Sequence, residues 1–186
     1  GMYAVAGILA ALQERARSGL GQHIDLSLLD TQVAWLANQA MNYLVSGQAP
    51  RRMGNGHPNI APYQDFPTAD GDMILAIGND GQFAKFCGIA GRPELASDER
   101  YATNPARVAH RDELVAIIAE LMRGRDLGVW IEALEAAGVP CGPINTLDHV
   151  FANPQVEARG VRVEVPHALG VNAPLVASPV KFSATP

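Results

Sequence analysis

The sequence predicts an α/β chain in which a helix-strand-helix unit is followed by a connection and a small α+β domain. Three observations point to that class. Val5, Ile8, Leu9 and Leu12 recur at the spacing of one helix face within residues 2 to 17. Ile24, Leu26 and Leu28 alternate with Asp25 and Ser27 across residues 23 to 29, the period of a half-buried strand. Residues 48 to 63, QAPRRMGNGHPNIAPY, have no period and hold three prolines and two glycines, which forbids a regular element.

The first helix stops at Ser18-Gly19-Leu20-Gly21, where glycine supplies a left-handed turn at little cost. No capping residue precedes Met2, so the helix reads as starting inside a longer element. After the strand, Asp30-Thr31 reads as the cap of a second helix from about Gln32 to Val45, apolar at Val33, Leu36, Ala37, Ala40 and Leu44 and ended by Ser46-Gly47. Gln64 to Phe66 and Met73 to Ile77 predict a hairpin around Asp70-Gly71. A helix starting near Asp80 carries Phe83, Phe86 and Cys87 inward. A longer helix from about Pro105 to Arg123 is apolar at Val108, Leu114, Ile117, Ile118 and Leu121. LGVWIEALEAAG predicts a short helix closed by Gly138, Leu147 to Ala152 another, and the segment from Val161 to Ser183 two or three strands. One strand and two apolar-faced helices cannot bury their surfaces alone, so residues 1–47 read as part of a larger domain. Residues 48–63 read as linker, 64–165 as the small α+β domain, and 166–186 as strands returning toward the large one.

A chain of 186 residues that is 48% hydrophobic can bury a core. Its net charge of -5 gives no footprint for nucleic acid or an anionic membrane. No signal peptide is recognisable, and no apolar run approaches the roughly 20 residues a membrane span needs. Cys87 and Cys141 lie far apart without metal-ligand spacing, which favours reduced thiols and a cytoplasmic setting. His23, His57, His110, His149 and His167 are dispersed and indicate no metal site.

Four stretches, in order, resemble the class III CoA-transferases, the family of formyl-CoA transferase, carnitine CoA-transferase and the α-methylacyl-CoA racemases. They are GILAALQERARSGLGQHIDLSLLD, GNGHPNIAPYQDFPTADGDMILAIGNDGQF, TNPARVAHRDEL, and GVPCGPINTLDHVFANPQVEARG followed by SPVKFS. APYQDF and GVPCGPIN look most like the dicarboxylyl-CoA transferases of the family. The resemblance implies a Rossmann-like large domain that binds CoA, of which residues 1–47 would be a remnant, and two interlocked chains. It implies an acyl-CoA and a small carboxylic acid as partners, with the CoA thioester as substrate and no covalently bound cofactor. The family's catalytic aspartate, which takes the acyl group as a mixed anhydride, would lie just upstream of Gly1, as would the racemases' histidine. The chain would thus hold no catalytic residue of its own and be inactive alone. Racemisation, and a non-catalytic assembly module, remain as alternative functions.

Within the chain, Gly54, Asn55, Gly56, His57 and Pro58 match the position of a mobile glycine-rich loop that covers the active site in this family, and equally suit an ordinary linker. By the same resemblance Tyr63, Asn79 and Gln82 lie near the pocket, where their polar groups would orient a carboxylate; satisfying loop backbone is the commoner role. Arg51 and Arg52 suit a carboxylate or CoA phosphates, or simply solvent. Asp80 matches a second acid of the racemases but reads better as an N-cap. Asp25 and Asp30 read as strand face and helix cap rather than substitute nucleophiles, and Cys141 as a small buried residue in a Pro-Gly turn.

Overall fold

The apolar period of residues 2 to 17 becomes α1 (Met2–Ser18) in the computed structural model, which describes residues 1–185. Gly19, at φ 75, ends it as expected. The expected strand does not form. Residues 20 to 27 have no regular structure, and α2 (Leu28–Trp35) starts where the strand was to end. A strand needs a partner for its backbone groups, and Gly1–Gly54, one of two compact units in the chain, contains no other strand among the described residues. The helix-strand-helix remnant is therefore helix, irregular segment and helices. Ser27, not Asp30, caps α2: its Oγ accepts the Asp30 N–H at 2.9 Å. A break at Leu36 separates α2 from α3 (Ala37–Ser46), so the single helix expected over 32–45 is two. No residue of this unit is buried, and Val5, Ile8, Leu12, Val33, Leu36 and Leu44 are each at least 42% exposed.

The second unit begins at Asn55. β1 (Tyr63–Pro67) and β2 (Asp72–Ala76) form the expected hairpin, with Tyr63 opposite Ala76 and Pro67 opposite Asp72. Alternation along β2 puts Met73 and Leu75 into the core, with Ile77 following. α4 (Asp80–Ile89) buries Phe83, Phe86 and Cys87, as its spacing predicts. A short 3₁₀ turn (Pro93–Ala96) leads to α5 (Asn104–Ala109) and α6 (Arg111–Met122). These two replace the one helix expected from Pro105 to Arg123. His110 breaks the run, with φ -109 and ψ 27 outside the helical region. α6 turns Arg111, Leu114, Ile118 and Met122 inward, and α7 (Leu127–Ala136) adds Trp130 and Leu134.

Phe86 stacks on Trp130 with ring centroids 6.2 Å apart, and the indole N–H of Trp130 donates to the Met122 carbonyl at 2.9 Å. β3 (Cys141–Pro143) pairs antiparallel with β2, Leu75 opposite Cys141, giving sheet order β1-β2-β3. Cys141 is therefore a half-buried strand residue, not a buried turn residue. α8 (Leu147–Phe151) and α9 (Pro154–Ala158) follow, then a hairpin of β4 (Arg162–Pro166) and β5 (Asn172–Val176). Every buried residue lies between Ala61 and Val139. No helix is long and apolar enough to cross a membrane among the described residues.

Burial pushes the Cys87 thiol up from 9.0 to about 11. Between those values an unfolded chain releases a proton that the folded chain retains, so stability is complete below pH 9.0 and falls as pH rises toward about 11. Urea unfolding across this window is expected to lose about 1–3 kcal/mol through this group. Cys87→Ala should flatten that slope, and an unchanged slope would place the titrating group elsewhere.

Candidate active-site loop

The connection carrying the sequence-predicted site residues runs from an exposed turn into a stretch of bonded backbone. Gly54 and Asn55 form an exposed turn in which Gly54 sits at φ 58, a conformation that favours glycine over any residue with a Cβ. From His57 onward the backbone is tied down. The His57 N–H donates to the Tyr63 carbonyl at 2.9 Å, closing the segment on itself. The Asn59 N–H donates to His57 Nδ1 at 3.2 Å, which leaves Nε2 to carry the ring proton in neutral His57. The His57 and Tyr63 rings meet with centroids 5.3 Å apart. The structure thus brings His57 and Tyr63 together, at the sheet end where β1 begins.

The same sheet end receives the start of α4, because the Ile77 N–H donates to the Pro62 carbonyl at 3.1 Å and the chain turns into α4 three residues later. Asn79 is the N-cap, its side-chain oxygen accepting the Gln82 N–H at 2.9 Å. Gln82 Oε1 in turn accepts the Gly78 N–H at 2.8 Å, a reciprocal cap. Both side-chain oxygens are thus committed to local backbone, and each residue has only its amide nitrogen left to offer a ligand.

Asp80 is not the cap. Its Oδ1 accepts from Arg107 Nη2 at 2.7 Å, so the residue matching a racemase acid is engaged by a neighbouring cation. Arg107 is the residue that sequence reasoning missed. Its side chain is fully buried, and besides Asp80 it donates from Nε to the Ala61 carbonyl at 2.7 Å and from Nη1 to the Tyr101 carbonyl at 2.9 Å. Its guanidinium also lies 4.5 Å from the Phe83 ring centre. Asn104 bonds the same segment twice, donating to the Asn59 carbonyl at 2.9 Å and accepting the Ala61 N–H at 3.2 Å. Arg111 donates to the Pro58 carbonyl at 3.0 Å. The signal was available: Asn104, Arg107 and Arg111 stand at i, i+3 and i+7 within TNPARVAHRDEL, a polar stripe on a face that otherwise buries apolar residues.

The remaining candidates belong to the first unit, Gly1–Gly54. Arg51 and Arg52 are exposed. Asp25 and Asp30 line a cleft of about 250 Å³ in the first unit, with Tyr3, Ser27 and Thr31. Among the described residues no His, Cys, Asp or Glu cluster could hold a metal ion.

A mixed α/β chain with this loop has counterparts among known proteins. The model of CoA-transferase family III matches residues 1–186. The chain is 54% identical over 189 residues to succinate–glutarate CoA-transferase of Agrobacterium fabrum, covering 100% of this chain and 46% of that protein. It is 41% identical over 167 residues to succinyl-CoA:glutarate CoA-transferase of Homo sapiens, covering 90% of this chain and 38% of that one. A solved CaiB/BaiF family protein from Brucella suis matches with a TM-score of 0.76 at 51% identity, over 98% of this chain and 47% of its own. The chain belongs to CoA-transferase family III. It spans about half the length of these relatives or less.

Asn79→Ala should cost about 1 kcal/mol of stability in urea unfolding, the usual worth of a cap. Unchanged stability would mean that the Asn79 side chain does not cap α4.

Proposed function

We propose that the chain is part of an enzyme that moves CoA between an acyl-CoA and a small dicarboxylic acid of the succinate and glutarate class. The observation behind this reading is the 54% identity, along the whole chain, to a relative named for succinate and glutarate. In this reading the attacking carboxylate is an aspartate supplied by sequence upstream of these 186 residues. That carboxylate attacks the thioester carbonyl carbon; the C–S bond breaks and CoA leaves as thiolate, giving an aspartyl anhydride. The thiolate then attacks the aspartyl carbonyl, releasing the first carboxylic acid and leaving an aspartyl-CoA thioester. The second carboxylic acid reverses both steps.

Both intermediates are open to hydrolysis, so the reaction needs a cover that keeps water out. The exposed turn at Gly54 and Asn55, running into half-buried Gly56, His57 and Pro58, has the glycine content to serve as one. Tyr63 and the amide nitrogens of Asn79 and Gln82 lie at the same sheet end and suit a carboxylate. The exposed apolar faces of the first unit suit packing against an N-terminal half or a second chain.

The 186-residue chain alone should move no CoA from succinyl-CoA to glutarate, and should do so once the upstream region is supplied. Hydroxylamine added during turnover should attack the aspartyl carbonyl of the anhydride or thioester, expelling the carboxylate or CoA thiolate and leaving a hydroxamate on an upstream aspartate. An adduct formed by the isolated chain, at Asp25, Asp30 or elsewhere, would overturn this assignment of the nucleophile.

A further inference from the structure

Three side chains of α5 and α6 spend their polar groups on one stretch of loop backbone. Asn104 holds Asn59 and Ala61, Arg107 holds Ala61, and Arg111 holds Pro58, all at 2.7 to 3.2 Å. Arg107 is fully buried and Arg111 only 7% exposed. Burying a guanidinium is unfavourable unless its donors are matched, and an apolar residue would fill the same space without that requirement. What an apolar residue cannot do is hold a carbonyl. The same Arg107 also reaches Asp80 at the start of α4 and the Tyr101 carbonyl, so one planar group fixes the loop relative to two other segments.

We propose that Asn104, Arg107 and Arg111 are positioning residues that clamp Pro58 to Ala61 and thereby set how tightly the preceding turn, Gly54 to Gly56, closes over the reacting anhydride. The proposal rests on reading that turn as the cover. The clamp supplies a rigid hinge: motion is confined to the glycine turn because the chain is anchored immediately after it. Loosening the clamp lets water reach the acyl-enzyme, so acyl groups are lost to hydrolysis rather than passed to the acceptor.

The test uses the enzyme containing this chain together with its upstream region, as Asn104→Ala, Arg111→Lys, Arg107→Lys and Arg107→Met variants. Hydrogen exchange is measured in peptides covering 55–63 and 73–77, and the fraction of succinyl-CoA hydrolysed rather than transferred to glutarate is measured alongside. Exchange over 55–63 should quicken by about tenfold or more while 73–77 is unchanged, and the hydrolysed fraction should rise several-fold. Lysine should rescue part of the Arg107→Met effect, since an ammonium replaces some but not all of the donors. Asn104→Ala and Arg111→Lys keep the test open if Arg107→Met fails to fold. Unchanged exchange overturns the clamp, and faster exchange with an unchanged hydrolysed fraction overturns its link to the cover. A parent enzyme that transfers no CoA to any dicarboxylic acid refutes the proposed function instead. The exchange measurement then decides the clamp alone, faster exchange supporting it and unchanged exchange overturning it.

Discussion

A buried guanidinium must find partners for its N–H groups or it destabilises the fold around it, and the second unit is organised around one such group, on Arg107. The desolvation of a buried ion costs several kcal/mol in a folded protein. Arg107 offsets that cost with two backbone carbonyls, the Asp80 carboxylate and the face of Phe83. Hydrogen bonds to a charged donor contribute about 1.5–3 kcal/mol each, so three together are of the right size to balance burial. The balance works only if the loop entering β1, the loop before α5 and the start of α4 all arrive at the same place. The arginine therefore specifies an arrangement more than it adds stability.

That arrangement explains how a segment with three prolines, two glycines and no periodicity acquires a defined shape. Residues 48 to 63 lack the pattern for a helix or strand, so their backbone groups need partners from elsewhere. From Pro58 to Ala61 those partners are side chains of α5 and α6; from His57 to Tyr63 the segment also bonds to itself. The turn at Gly54 and Asn55 precedes all of these anchors. A loop that is anchored on one side of an exposed glycine turn is suited to opening and closing. In the proposed transferase the same property would let CoA and the carboxylic acid exchange while the anhydride stays dry.

The sequence disclosed the parts of this fold that rest on local periodicity. α1, the β1–β2 hairpin, and the inward face of α4 with Phe83, Phe86 and Cys87 were all legible, because each follows from spacing alone. Elements that depend on distant partners were not. Residues 23 to 29 alternate like a strand, yet, with no strand in their unit among the described residues, 23 to 27 stay irregular and Leu28 and Leu29 open α2; Cys141 to Pro143 look like a turn, yet they pair with β2. The break at His110 was hidden because apolar spacing continues across it from Val108 to Leu114. For the site, the motif blocks pointed to the family and to the loop, while the side-chain oxygens of the candidates Asn79 and Gln82 take the commoner role of satisfying local backbone, in a helix cap. Arg107 was overlooked because a charged residue in a helix ordinarily faces water.

The anchoring role of Arg107 is tested most directly by nuclear magnetic resonance of the arginine side chains. A guanidinium Nε–H that is buried and bonded to the Ala61 carbonyl is shielded from solvent. One slowly exchanging arginine Nε–H is expected near neutral pH and ordinary temperature, and it should vanish from the spectrum of Arg107→Lys. If every arginine Nε–H exchanges freely with water, or the slow one survives that substitution, the loop is not held in this way.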